Sequence, residues 1–226
     1  MLPFRIKICG VRSLDDALAS AAAGADALGL NFHPASKRFI EPSQAREIVA
    51  ALPEHITPVA VVVNRRPEEI LHLWRETGIR WFQLHGDESP EAVAAIDRSL
   101  HVIRARRVAT WQVLAHDLAA CQHAGRCPEG VLVDAVVEGE YGGSGQVANW
   151  RGFVDRGGAA AEIPLILAGG LTPRNVAEAI RTVRPWGVDT ASGVEASPGV
   201  KQHQLVEQFV QAARQAMGEI ELGLPE

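Results

Sequence analysis

The sequence predicts one α/β domain, a (β/α)8 or TIM barrel, and three observations carry that expectation. Short apolar runs alternate with amphipathic stretches eight times along the chain. The 226 residues divided among eight units leave about 28 apiece, enough for a lean barrel unit. No linker-like shift of composition divides residues 1–226, so a single domain is expected, with 218–226 a fraying tail. A doubly wound open sheet is the architectural alternative, because it uses the same alternation.

The strand segments, in order, are 5–9, 27–30, 58–63, 81–84, 101–106, 130–134, 164–168 and 187–190. Several are β-branched runs bounded by turn residues, as buried parallel strands are. Helical patterns follow at 14–23, 43–51, 67–77, 90–98, 111–124, a short piece near 150–155, 175–184 and 202–217. Ser13, Ser43, Ser89 and Thr172 signal helix starts, because their side-chain oxygens accept from the free N–H groups of a first turn. Pro67, Pro90 and Pro173 suit first-turn positions, where no hydrogen-bond donor is lost.

Composition narrows the function. With 22 Lys+Arg against 27 Asp+Glu, a net charge of −5 and 47% hydrophobic residues, the chain is neither disordered nor strongly charged. Glycine has no three-residue period, no heptad persists, and only Cys9, Cys121 and Cys127 occur, which excludes collagen, coiled coil and a disulfide scaffold. Mild acidity argues against nucleic acid or membrane as partner, since either would select a concentrated basic face. A small anionic substrate needs only a few local cations. No apolar run approaches the ~18 residues that span a bilayer. Residues 1–10 lack a secretory core, so a cytoplasmic setting with free thiols is expected. Cys121, His123 and Cys127 form C-x-H-x-x-x-C, which fits no common zinc spacing, and no metal is expected there.

In a barrel, chemistry collects where strands end. Those ends read Cys9, 31–38, Asn64, His85, Arg104 with Arg106, Asp134, Gly169-Gly170 and Ser192-Gly193, polar or glycine residues above apolar strand interiors. Strand ends meet solvent in any barrel, which accounts for part of this polarity.

The segments around those ends are Lys7-Ile8-Cys9-Gly10, Leu30-Asn31-Phe32 with Ser36-Lys37-Arg38-Phe39-Ile40, and Gln83-Leu84-His85-Gly86. Further along come Leu132-Val133-Asp134, Gly142-Gly143-Ser144-Gly145, Leu167-Ala168-Gly169-Gly170-Leu171, Gly187-Val188-Asp189, Ser192-Gly193-Val194-Glu195 and Pro198-Gly199-Val200-Lys201. In this order, over residues 5–201, the chain resembles the phosphoribosylanthranilate isomerases of tryptophan biosynthesis. The resemblance implies an Amadori rearrangement of a small phosphosugar–anthranilate substrate, with no cofactor, by a monomer or a homodimer. It also implies that Cys9 is the general base and Asp134 the general acid. Arg38 matches the arginine that binds the anthranilate carboxylate, for which a planar fork is suited. For the phosphate, Gly169 and Gly170 let backbone N–H groups approach, Thr172-Pro173 opens a helix with its positive end at the mouth, and Ser192 with Gly193 completes the arrangement. Gly142, Gly143 and Gly145 fall in the segment that the family's pattern places over the phosphate. Gly143-Ser144-Gly145 fails as a dinucleotide fingerprint, because residues 135–142 separate it from the strand.

The acid and base types raise a protonation problem. At pH 7 roughly 3% of an ordinary thiol is ionised and about 0.1% of an aspartic acid is protonated, so on the order of 10⁻⁵ to 10⁻⁴ of molecules would hold both forms. A shift of at least one group, or coupling between them, is therefore expected. Lys7, on the strand face of Cys9, would favour thiolate, and Asp189 is the candidate partner for Lys7. His85 admits two readings, a satisfied rim histidine or a substrate contact.

The chain departs from the family pattern at Arg12, Thr190-Ala191, Ala148-Asn149 and Gln202. Arg12 could add positive field at Cys9. Two other readings stay open: another phosphosugar isomerase or lyase on the same barrel, and a binding protein that kept the barrel without catalysis. An intact Cys9 and Asp134 argue against both.

Overall fold

The computed structural model describes residues 2–134 and 150–223. Eight parallel strands close into a barrel in sequence order. They are β1 (Ile6–Cys9), β2 (Ala27–Asn31), β3 (Thr57–Val62), β4 (Trp81–Leu84), β5 (His101–Arg106), β6 (Gly130–Asp134), β7 (Leu165–Ala168) and β8 (Gly187–Thr190). β1 pairs with both β2 and β8, so no sheet edge is left, and the open-sheet alternative is excluded.

Seven α-helices surround the barrel among the described residues: α1 (Leu14–Ala22), α2 (Pro42–Ala51), α3 (Pro67–Thr77), α4 (Pro90–Ala95), α5 (Trp111–His123), α6 (Val176–Val183) and α7 (His203–Glu221). Ser13 caps α1 by accepting from the Asp16 N–H, and Ser89 caps α4 by accepting from Ala92. Two expected starts are corrected. α2 begins at Pro42 with Glu41 in the cap position, because proline's fixed φ initiates the helix one residue before Ser43. α6 begins at Val176 because Thr172 opens a turn instead, its N–H donating to Asn175 Oδ1 at 2.7 Å. Between β6 and β7 the described chain forms two 3₁₀ turns, Trp150–Phe153 and Ala159–Glu162, where a short helix was expected. Gly152, Gly157 and Gly158 disfavour a longer helix there, and the indole N–H of Trp111 donates to Gly157 O at 3.0 Å.

α7 runs through Glu221, into the segment expected to fray, and is held by Arg181 on Glu219 at 2.8 Å and by an Arg5–Glu221 ion pair. A two-stranded antiparallel ribbon, β9 (Glu195–Ser197) with β10 (Val200–Lys201), follows β8 and was not expected. It sets Lys201 opposite Glu195.

Side chains alternate between two apolar layers, as the strand period requires. Ile6, Ile8, Leu28, Leu30, Phe82 and Leu84 face the helices. Ala27, Val59, Ile103, Leu132 and Ile166 fill the barrel, with Leu2 and Phe4. The interior is not wholly apolar: Lys7 and Gln83 are completely buried in it. Arg104, read from the sequence as a mouth residue, has the helix-facing parity of Val102, and its guanidinium meets Asp117 on α5 at 2.5 and 2.8 Å. Arg106 joins the same carboxylate and donates to Gly86 O at 2.8 Å and Glu88 O at 3.1 Å, tying α5 to the loop after β4.

Arg104 is 1% exposed, and its Nη1 has no hydrogen-bond partner among the described residues. Removing the carboxylate strands a buried cation, whereas removing the cation leaves Asp117 paired with Arg106. Asp117→Ala should therefore lower unfolding free energy by about 3–5 kcal/mol in urea titrations, and Arg104→Met should cost less than half as much. Equal losses would show that packing, not charge, sets the stability of this wall.

Candidate active site

Alternation along β1 sends Ile6 and Ile8 outward, so Lys7 and Cys9 project into the barrel. On β6 the same rule sets Leu132 inside and places Asp134 on its face at the strand's C-terminal end. Lys7 lies beside Asp189 in the β1–β8 register, and its Nζ donates to Asp189 Oδ1 at 2.7 Å, the partner expected from the sequence. Burial alone would lower the Lys7 pKa, but Asp189 and the Cys9 thiol reverse that and hold the ammonium above its ordinary value.

Burial pushes the Cys9 thiol up, against the opposing pull of the Lys7 and Lys201 ammonium groups. Lys7 favours the thiolate, as expected from the sequence, but desolvation outweighs it and the negative charge of Asp189 adds to the rise. Arg12 is engaged elsewhere. Its Nε donates to Phe39 O at 3.1 Å, so it braces the loop after β2.

Asp134 is half-buried, with Arg107 Nη2 at 3.2 Å and His85 Nε2 at 4.0 Å from Oδ2. The Gln83 amide nitrogen lies 2.8 Å from His85 Nδ1, which directs the proton-bearing Nε2 toward Asp134. Burial lowers the His85 pKa, so the ring is neutral, although the charges of Asp134 and Asp189 act the other way. The His85–Asp134 approach brings the ends of β4 and β6 together, and the Lys7–Asp189 pair joins β1 to β8. A cavity of about 540 Å³ opens beside His85 at the ends of β3, β4 and β5, lined by residues that include Asn64, Arg106 and Arg107. Its wall is fixed by the buried Glu88 carboxylate, which accepts from the N–H groups of Asn64 at 2.8 Å and Gly86 at 3.1 Å.

On the other side of the mouth, Gly169 and Gly170 have φ of +85° and +66°, a left-handed pair that side chains rarely adopt. Asn175 Nδ2 donates to Gly170 O at 3.0 Å and steadies this turn. Ser192 and Gly193 begin a 3₁₀ turn beside it, with Thr190 Oγ1 donating to Leu171 O at 2.7 Å across the two loops. Gly142, Gly143 and Gly145 lie outside the described residues. Arg38 is brought to this side, but its Nε and Nη2 are held by the two carboxylate oxygens of Glu195, each at 2.7 Å. The Lys201 ammonium is fully covered and donates to Cys9 O at 2.6 Å, Ala191 O at 3.1 Å and Glu195 Oε1 at 2.9 Å.

Sequence reasoning quoted Glu195 and Lys201 without giving them a role. The signal was the Pro198-Gly199 turn between them, a hairpin mark that would have set the two side chains across from each other. Arg107 carried no signal, because it follows the strand end by one residue and its contact with Asp134 is made between loops. Cys121 is buried and Cys127 exposed, while His123 Nδ1 lies 2.7 Å from Ala119 O, so these three do not converge.

The sequence profile of N-(5'-phosphoribosyl)anthranilate (PRA) isomerase matches residues 6–212. The chain is 43% identical over 210 residues to the N-(5'-phosphoribosyl)anthranilate isomerase of Thermotoga neapolitana, covering 93% of this chain and 98% of that one. It is 41% identical over 212 residues to the Geobacter sulfurreducens enzyme, with the same shares covered. The crystal structure of phosphoribosyl anthranilate isomerase from Thermotoga maritima superposes with a TM-score of 0.83 at 38% identity, over 94% of this chain and 99% of that one. A phosphoribosyl anthranilate isomerase structure in complex with reduced 1-(o-carboxyphenylamino)-1-deoxyribulose 5-phosphate superposes at 0.78 with 35% identity, over the same shares. With a matching profile over most of its length and relatives of this identity, the chain belongs to the N-(5'-phosphoribosyl)anthranilate isomerase family.

Proposed function

We propose that the protein converts N-(5-phosphoribosyl)anthranilate to 1-(2-carboxyphenylamino)-1-deoxyribulose 5-phosphate, with Cys9 as general base and Asp134 as general acid. The observation that carries this reading is that both side chains stand on the interior face at the C-terminal ends of barrel strands, the same end for both. Asp134 protonates the ribose ring oxygen, the C1–O bond breaks, and an iminium forms at C1. Cys9 then removes the C2 proton that the iminium has acidified; the C2–H electron pair makes a C1=C2 bond and neutralises the nitrogen. The enol relaxes to the ketone. Phosphate is received by the Gly169-Gly170 and Ser192-Gly193 turns, with Gly142, Gly143 and Gly145 as their cover, and the benzoate by Arg38.

Two further observations favour proton transfer over lyase chemistry through a Schiff base. Lys7 is held as an ammonium by Asp189, and all three donors of Lys201 are occupied, so neither is a free amine nucleophile. The three cysteines are free thiols, which suits a reducing cytoplasm. Among the described residues no helix is long and apolar enough to cross a membrane.

Gly29 sits beside Cys9 in the β1–β2 register, and a Cβ there would lie 2.7 Å from the thiol sulfur and 3.1 Å from Lys7 Nζ. The glycine is the space in which the reactive sulfur rests.

Cys9→Ala and Asp134→Asn should each lower kcat by at least ~10², while the dissociation constant of reduced 1-(o-carboxyphenylamino)-1-deoxyribulose 5-phosphate stays within about threefold. Near-normal turnover of either variant would reject its role. Gly29→Ala should lower kcat by more than about tenfold, because it displaces the sulfur, with the circular dichroism spectrum retained. A profile of kcat/KM against pH should be a bell. The active form contains the thiolate, and the basic limb of such an acid–base pair reports the higher of its two pKa values, which is assigned to Cys9. Because burial raises Cys9, that limb should lie above the ordinary thiol value of ~8.5, and Lys7→Met should move it higher still. A basic limb below ~8 would show that the thiol is not the group titrating there.

A further inference from the structure

Arg38 is the cation expected to take the substrate's benzoate, yet the edge of its guanidinium formed by Nε and Nη2 is already closed by Glu195. Nη1, and the second hydrogen of Nη2, make no hydrogen bond among the described residues. The Glu195 side chain is 4% exposed and that of Arg38 27%, so the carboxylate is the buried partner and the arginine the one that reaches toward solvent. The fork is planar, and fixing one edge fixes the direction of the other. Arg38 also lies across Gly10, the residue after Cys9, where any Cβ would overlap its side chain. The benzoate site and the thiol therefore share one wall.

Charge balance is consistent with a single carboxylate guest. Arg38 and Lys201 are cations and Glu195 an anion, so the three carry a formal net charge of +1. Lys201 is what keeps that sum positive, and Glu195 holds it in place from the opposite strand of the β9–β10 ribbon. Arg38 and Lys201 together keep the Glu195 carboxyl ionised despite its burial. The same ammonium grips Cys9 O and Ala191 O, so the anchor of the benzoate arginine is also the anchor of the base and of the turn at Ser192.

We infer that Glu195, anchored by Lys201, is a specificity-determining positioning residue: it holds Arg38 so that the guanidinium presents its Nη1–Nη2 edge to the carboxylate of the anthranilate ring. This inference rests on the assignment of Arg38 to the benzoate, and it makes a prediction opposite to that of charge alone. Neutralising Glu195 raises the local net charge, so if attraction alone governed binding, Glu195→Gln would bind the anionic ring more tightly. If orientation governs it, the freed arginine binds less well.

The test is steady-state kinetics of Glu195→Gln, Glu195→Asp and Arg38→Ala with phosphoribosylanthranilate, each variant also inhibited with inorganic phosphate. Glu195→Gln should raise KM by about tenfold, a larger factor than any fall in kcat or weakening of phosphate inhibition that follows from loosening Lys201. Glu195→Asp, which keeps the charge but draws the carboxylate back by one methylene, should raise KM as well and covers the case in which the glutamine variant does not fold. An unchanged or lower KM in the folded glutamate variants, while Arg38→Ala raises KM, overturns the inference and leaves the benzoate assignment standing. An unchanged KM in Arg38→Ala shows that the assignment itself has failed.

Discussion

Lys7 and Asp189 lie side by side inside the barrel, 2.7 Å apart, and the behaviour of the mouth follows from that pair. An ammonium with no exposed surface costs several kcal/mol to desolvate unless a partner meets it. Asp189 meets it from the neighbouring strand, and the two nearly cancel in charge. Cys9, next along the interior face of β1, therefore sits beside a pair of almost no net charge and is itself largely buried. Its thiol is governed by burial and stays protonated until the pH is well into the basic range. A thiolate formed there is poorly solvated, and so a stronger base toward a carbon acid than its counterpart in water.

The rest of the rim divides by sign and by rigidity. From β3 to β6 the side chains that face the hollow are a neutral histidine and a carboxylate with an arginine beside it, on loops tied together by Glu88 and Arg106. From β7 to β2 the surface is cationic or made of backbone, with Lys201 joining the β1 carbonyl to the turn after β8. The two sides thus differ in charge and in whether side chains or backbone face the mouth. Acid–base catalysis depends on sub-ångström placement, and both walls hold their groups through buried charged hydrogen bonds.

Much of this was legible in the chain. The strand count, the interior parity of Cys9 and Asp134 and the partnership of Lys7 with Asp189 follow from a two-residue period and from strand closure, which are regular enough to read from a line of letters. Helix starts at Ser13 and Ser89 were legible for the same local reason, while Ser43 failed because Pro42 starts the helix before it and Thr172 because it is drawn into a turn with Asn175. Arg104 was misplaced at the mouth because, as a strand residue ending in a charge, it carried no mark of which layer its parity would reach.

The sequence by itself determined the barrel and the order of its loops, since each depends on spacing between near neighbours, and it set Cys9 and Asp134 at strand ends. Only the tertiary structure decided the sign of the Cys9 shift, the capture of Arg38 by Glu195 and the three acceptors of Lys201. These contacts join residues 157 and 192 positions apart. Desolvation, moreover, is set by everything that packs around a group, a sum over the whole fold that no local pattern contains.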